Sequence, residues 1–153
     1  MTRIVLAEDH FVMRQKLKQL LAGRGDVVIV GEAEDGEEAL KLTLQLQPDL
    51  LITDLSMPRL HGLELTQRLQ TENSPARVVI VSVTTDEPYV LAALRNGAQG
   101  YVGKDSCREY LLTAVDVVQS GHLYLAPPLD PTLLTRSQSS PDAEKSEDTI
   151  TSE

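Results

Sequence analysis

The sequence predicts an α/β protein, a doubly wound parallel sheet with helices on both faces. Three observations carry this. Short apolar runs recur along the chain, and most are continuous rather than alternating, as expected for parallel strands covered on both faces. Between them lie segments whose apolar residues recur at helical spacing. Gly and Pro fall where those helices should start and stop.

In chain order, the strands are expected at Ile4–Ala7, Val27–Gly31, Leu50–Thr53, Val78–Val83 and the short Gly100–Val102. The first helix carries Met13, Leu17, Leu20 and Leu21 on one face. The second carries Ala39, Leu42 and Leu46, and the third Leu65 and Leu69. Val90, Ala93, Leu94 and Gly97 follow i, i+3, i+4, i+7 in the fourth, as do Leu111, Ala114, Val115 and Val118 in the fifth. Pro88 suits a first helical turn, Ser106 and Glu109 a capping box, and Gly97 and Gly121 helix ends. A βα unit repeated five times, with right-handed crossovers, leads to the flavodoxin-like (βα)5 arrangement with strand order 2-1-3-4-5.

After Gly121 the pattern breaks. Tyr124–Leu129 reads as an extended or turning connector, and Pro131–Leu134 as a helical turn. From Ser137 to Glu153 large apolar residues nearly vanish, and Asp142, Glu144, Glu147, Asp148 and Glu153 face only Lys145. Such a stretch buries too little surface to offset its ordering entropy, so disorder is expected. The division expected is a domain over residues 1–121, a connector over 122–136 and an acidic, disordered tail over 137–153.

Composition narrows the function classes. With no Trp and one Phe, the core must be aliphatic. A net charge of −9 argues against a nucleic-acid surface, which needs clustered Lys and Arg, and suits a cation site or a basic protein partner. Cys107 stands alone, so neither an internal disulfide nor a cysteine zinc site can form. Neither a signal peptide nor a membrane span is evident, which makes the cytoplasm the expected location.

Ligands of doubly wound sheets bind beyond the carboxyl ends of the strands, where the strand order reverses. Glu8 and Asp9 follow the first strand there, Asp54 the third, Ser82 ends the fourth, and Lys104 follows the fifth. Three converging carboxylates repel one another unless a cation joins them. Mg²⁺ is the expected cation, since it takes few carboxylates, retained waters and phosphate oxygens. A nucleophilic carboxylate, a metal, a lysine and a hydroxyl are the parts that phosphoryl transfer needs.

These residues resemble the response-regulator receiver family of two-component systems over about residues 3–121. The matching stretches are Glu8-Asp9, Asp54-Leu55-Ser56-Met57-Pro58, Gly62, Val81-Ser82 and Gly100-Tyr101-Val102-Gly103-Lys104. The resemblance implies that Asp54 accepts a phosphoryl group from the phosphohistidine of a sensor histidine kinase or phosphotransfer protein. It implies that Asp9, Asp54 and the Ser56 backbone carbonyl hold Mg²⁺, with Glu8 acting directly or through water. Ser82 and Lys104 would bind the phosphoryl oxygens, and Tyr101 would turn inward as Ser82 moves, altering the helix 4–strand 5–helix 5 face. That face is also where a homodimer would form.

A narrower resemblance is to the NarL/FixJ-type subfamily, carried by Asp9-His10 with Met13-Arg14, by Lys104-Asp105, and by Gly121-His122-Leu123-Tyr124-Leu125-Ala126-Pro127. His10 is expected to be a surface residue rather than a ligand. The subfamily continues into a DNA-binding helix-turn-helix domain, and here only the acidic tail follows, so this chain itself is not expected to bind nucleic acid. Val83 stands where many receivers carry a smaller residue. Val83, Ser56 and Thr84 are expected to modulate the lifetime of the phosphorylated form.

The implied activity is that of a signalling switch rather than an enzyme, catalysing only its own phosphoryl transfer and slow autodephosphorylation. Two alternatives remain at this point: the receiver portion of a transcription regulator lacking its DNA-binding domain, or a pseudo-receiver working without phosphorylation. An aspartyl phosphatase of the haloacid-dehalogenase type would need an acid two residues after Asp54, where Ser56 stands, and a P-loop is absent.

Overall fold

Alternation along the central strands sorts the core into two layers. In a computed structural model, which describes residues 1–138, β1 (Thr2–Ala7) sends Val5 and Ala7 to one face of the sheet and Ile4 and Leu6 to the other, as the period of two requires. α1 (Phe11–Ala22) and α5 (Cys107–Gln119) cover the Ile4 face through Leu17, Leu21, Leu111 and Val115. α2 (Gly36–Leu46), α3 (Gly62–Thr71) and α4 (Glu87–Arg95) cover the other through Leu40, Leu65, Leu69 and Val90.

The remaining strands are β2 (Val27–Ala33), β3 (Leu50–Thr53), β4 (Arg77–Ser82), β5 (Gly100–Gly103) and β6 (Tyr124–Leu125). They form one sheet in the order β2-β1-β3-β4-β5-β6, every pair parallel. The expected 2-1-3-4-5 order is therefore present, extended by one strand. β6 is held to β5 by Tyr124 N–H to the Gln99 carbonyl at 2.8 Å and Ala126 N–H to the Tyr101 carbonyl at 3.0 Å.

Four local expectations change. The segment read as a connector carries β6 and a short α6 (Thr132–Ser137); it buries Leu125, Leu129 and Leu133 in the core layer of α4 and Tyr101, and Ala126 in the layer of α1 and α5. Ser137 closes α6, so the expected tail does not start there; residues 139–153, the rest of that tail, lie outside the described residues. Ser106 precedes α5 without capping it by its side chain. A 3₁₀ turn, Lys104–Ser106, feeds the helix and gives Ser106 a helical backbone (φ −106°, ψ 0°), whereas a capping residue needs an extended one. On α2 the fully buried stripe is Ala39, Leu40 and Thr43; Leu42 and Leu46 are half-buried because they lie over Gly31 of the edge strand β2. Gly97, with φ +110°, ends α4 in the left-handed region, as expected.

Candidate functional site at the carboxyl end of the sheet

Because every strand is parallel, the residues following β1, β3, β4 and β5 share one edge of the sheet. Glu8 follows β1 and is only 1% exposed; Asp54 follows β3 and is 4% exposed. Lys104 follows β5 and spans them, its Nζ 2.7 Å from Glu8 Oε1 and 2.9 Å from Asp54 Oδ2. Asp54 Oδ1 accepts the Leu55 N–H at 2.7 Å. The Asp54 N–H donates to the Ala7 carbonyl at 3.2 Å, carrying the β1–β3 pairing up to the acidic residue itself.

The lysine is the electrostatic centre of this arrangement. Burial is the largest single influence on Lys104 and pulls its pKa down. Hydrogen bonds and charge from Asp54 and Glu8 together outweigh it, so the pKa lies above the ordinary lysine value. The ammonium thus stays charged and holds two buried carboxylates side by side.

Asp9 has a different fate. Its Oδ1 is buried without a hydrogen-bond partner, 3.4 Å from His10 Nδ1. The carboxylates of Glu8 and Asp9 and the His10 ring offer atoms within 4.8 Å of one another. A buried carboxylate oxygen without a hydrogen-bond partner, beside the Glu8 carboxylate, is a donor set that fits a hard divalent cation. His10 itself is largely exposed at the start of α1, its N–H donating to Glu8 Oε2 at 3.1 Å.

Ser82, Thr84 and Tyr101 form a second group. Ser82 is the last residue of β4 and is fully buried; its Oγ accepts the Thr84 N–H at 3.0 Å. The Tyr101 hydroxyl donates to the Thr84 carbonyl, and its ring is fully buried. Burial, the main cause, pushes the Tyr101 phenol up to about 12, only partly opposed by the Ser82 hydroxyl. Ser56 is exposed on the loop after Asp54. Val83, 74% exposed, stands with Thr85, Lys104 and Leu129 on the wall of a cavity of about 330 Å³.

Two supports escaped the sequence reading in part. Gly62 was noted as opening a helix, but its reason is steric. A Cβ there would lie 2.5 Å from the Asp54 carbonyl oxygen and 2.7 Å from Leu55 Cα, so only glycine lets α3 start beneath the loop that carries Asp54. Arg14 is buried, and its Nη1 donates to the Glu8 carbonyl at 2.7 Å. The signal was available: Arg14, Leu17 and Leu21 follow i, i+3, i+7, so the arginine occupies the buried stripe of α1.

The chain matches the response regulator receiver domain family over residues 4–116, most of its length, and it belongs to that family. It is 39% identical over 130 residues to the nitrate/nitrite response regulator protein NarL of Escherichia coli K12, covering 85% of this chain and 60% of the relative. It is 38% identical over 133 residues to the oxygen regulatory protein NreC of Staphylococcus carnosus, covering 86% and 61%. A crystal structure of a LuxR-family two-component response regulator from Aurantimonas sp. SI85-9A1 superposes with a TM-score of 0.82 at 28% identity, covering 90% of this chain and 98% of that one.

The chain is thus a receiver domain of the NarL/LuxR type, a signalling module of a family whose general function is to accept a phosphoryl group. It spans about three fifths of the length of these curated relatives. Receiver domains generally bind Mg²⁺ at an acidic pocket, here the Glu8–Asp9–His10 cluster. Among the described residues, no helix is long and apolar enough to cross a membrane.

Proposed function

We propose that Asp54 is the phosphoryl acceptor, taking its group from the phosphohistidine of a sensor histidine kinase or phosphotransfer protein. The supporting observation is the Lys104 ammonium held between Glu8 and Asp54, with the Asp9 oxygen that lacks a hydrogen-bond partner beside Glu8. In this reading Asp54 Oδ2 attacks phosphorus, the phosphorus–nitrogen bond breaks, and the donor imidazole leaves with the bond's electrons. Mg²⁺, held by Asp9, Asp54 and the Ser56 carbonyl with Glu8 directly or through water, supplies charge neutralisation at the transferring group.

Lys104 then exchanges its bond to Asp54 Oδ2 for one to a phosphoryl oxygen. Ser82, whose Oγ already accepts from Thr84, still has its own proton to donate to another phosphoryl oxygen. Such a donation pulls on Thr84, and Thr84 holds the Tyr101 hydroxyl, so a charge change at Asp54 reaches β5 through one short chain of contacts. Val83, Ser56 and Thr84 set how quickly water reverses the modification, which makes slow autodephosphorylation the chain's own contribution.

The readout is a protein surface, in the cytoplasm. β6 on the edge of β5 and α6 on α4 take up part of the helix 4–strand 5–helix 5 face, so a homodimer through it would meet α4, α5 and this added layer. Since the chain spans about three fifths of its curated relatives, a second reading is the receiver portion of a transcription regulator. In both readings this chain makes no direct contact with nucleic acid. Beryllofluoride with Mg²⁺ tests the proposal: Tyr101 and Ser82 resonances should move in wild type and not in Asp54→Asn. No response in wild type would leave the phosphorylation-independent pseudo-receiver as the better account.

A further inference from the structure

Among the described residues, Arg14 is the most buried cation that the phosphoryl-transfer reading leaves unused, at 7% exposure. Its guanidinium spreads three ways. Nη1 donates to the Glu8 carbonyl at 2.7 Å, Nη2 to Glu34 Oε1 at 3.3 Å, and Nε lies 3.3 Å from Glu32 Oε1. The guanidinium carbon sits 5.6 Å from the centre of the Phe11 ring, which closes off one side. The fork therefore ties the end of β1 to the end of β2 and the loop that follows it.

The Glu8 carbonyl belongs to the peptide that leads into Asp9. Residue 8 is pinned on both sides, its N–H to the Ala33 carbonyl at 3.0 Å and its C=O to Arg14. Rotation of the 8–9 peptide would break the Arg14 bond and leave a buried carbonyl unpaired. Asp9 hangs from that peptide, and its Oδ1 is the buried oxygen without a partner.

We propose that Arg14 is a positioning residue for the cation site: it fixes the Glu8–Asp9 peptide so that the Asp9 carboxylate is presented to Mg²⁺. This rests on the reading of Asp9 as a Mg²⁺ ligand. A lysine keeps the charge and the apolar stem but cannot reach the Glu8 carbonyl and two carboxylates at once.

The test is a calorimetric Mg²⁺ titration of wild type and Arg14→Lys, with melting in the absence of Mg²⁺ and the acetyl phosphate reaction followed across Mg²⁺ concentration. Arg14→Lys should bind Mg²⁺ about tenfold more weakly, as groups that orient metal ligands commonly do on loss. Its Mg²⁺-free melting should fall modestly, as loss of part of the fork requires, while its maximal rate should recover at saturating Mg²⁺. Unchanged Mg²⁺ affinity overturns the proposal. So does a maximal rate that stays low at saturating Mg²⁺ alongside lowered melting, which would make Arg14 merely structural. Failure of wild type itself to bind Mg²⁺ sinks the site reading and this proposal with it, a result separable from a defect confined to the variant. If Arg14→Lys does not fold, the wild-type Arg14 side-chain nitrogen resonances decide: they shift on Mg²⁺ addition if the 8–9 peptide links the two, and stay fixed if it does not.

Discussion

Replacing Lys104 with Met should weaken the fold and strengthen cation binding at the same time. The ammonium lies 2.7 Å from Glu8 and 2.9 Å from Asp54, and both carboxylates are nearly inaccessible to water. Removing one partner of a buried ion pair costs about 3–5 kcal/mol. Lys104 keeps 12% of its side-chain surface in solvent, and relaxation of the carboxylates toward that opening reduces the expected loss to about 2–3 kcal/mol. For a domain of this size that corresponds to a fall in Tm of roughly 5–12 °C without Mg²⁺.

The same substitution leaves Glu8, Asp9 and Asp54 with no cation among them, so Mg²⁺ should bind more tightly than to wild type and restore most of the lost Tm. Thermal melting at neutral pH across a Mg²⁺ series reads both effects. A Lys104→Met protein that melts like wild type without Mg²⁺, or that Mg²⁺ stabilises less than wild type, would refute the assignment of Lys104 as the charge holding these carboxylates together.

Other substitutions probe the surrounding parts. Gly62→Ala should cost about 1–3 kcal/mol by urea denaturation, because its Cβ meets backbone atoms that cannot step aside, and it should lower Mg²⁺ affinity by shifting the acceptor loop. Leu133→Ala should cost about 2 kcal/mol or more, since Leu133 is 1% exposed against the α4 side of the core; a neutral result would show that residues past 121 are a detachable connector after all. Tyr101 titrates near 12 when folded against 10.0 in the unfolded chain, so the unfolded state releases its proton first as pH rises. That stabilising contribution, at most about 3 kcal/mol, is whole below pH 10 and disappears between about 10 and 12. Tyr101→Phe should lose about 1 kcal/mol at neutral pH with the Thr84 bond and flatten this alkaline limb in pH-dependent denaturation.

The first five strands were legible, and most plainly β1, β3 and β4, which are continuous aliphatic runs between turn signals. The candidate site was legible because parallel strands put every following residue on one edge, so sequence position alone placed Glu8, Asp9, Asp54, Ser82 and Lys104. β6 was not legible. Two residues carry no periodicity, and Pro127 and Pro128 after them read as loop; their place in the sheet comes from Gln99, just before β5, and Tyr101 on it. The missing cap at Ser106 and the half-burial of Leu42 and Leu46 depend on an inserted 3₁₀ turn and on the openness of an edge strand, neither of which leaves a local trace. Contacts such as Lys104 to Glu8, or Arg14 to the Glu8 carbonyl, join residues by geometry that spacing alone does not specify.

The most direct measurement is the intact mass of the protein after treatment with acetyl phosphate and Mg²⁺, followed by peptide mapping. One added phosphoryl group is predicted, located on the peptide containing Asp54, absent from Asp54→Asn and absent when Mg²⁺ is chelated. A phosphoryl group on another residue, or its persistence in Asp54→Asn, would contradict the account.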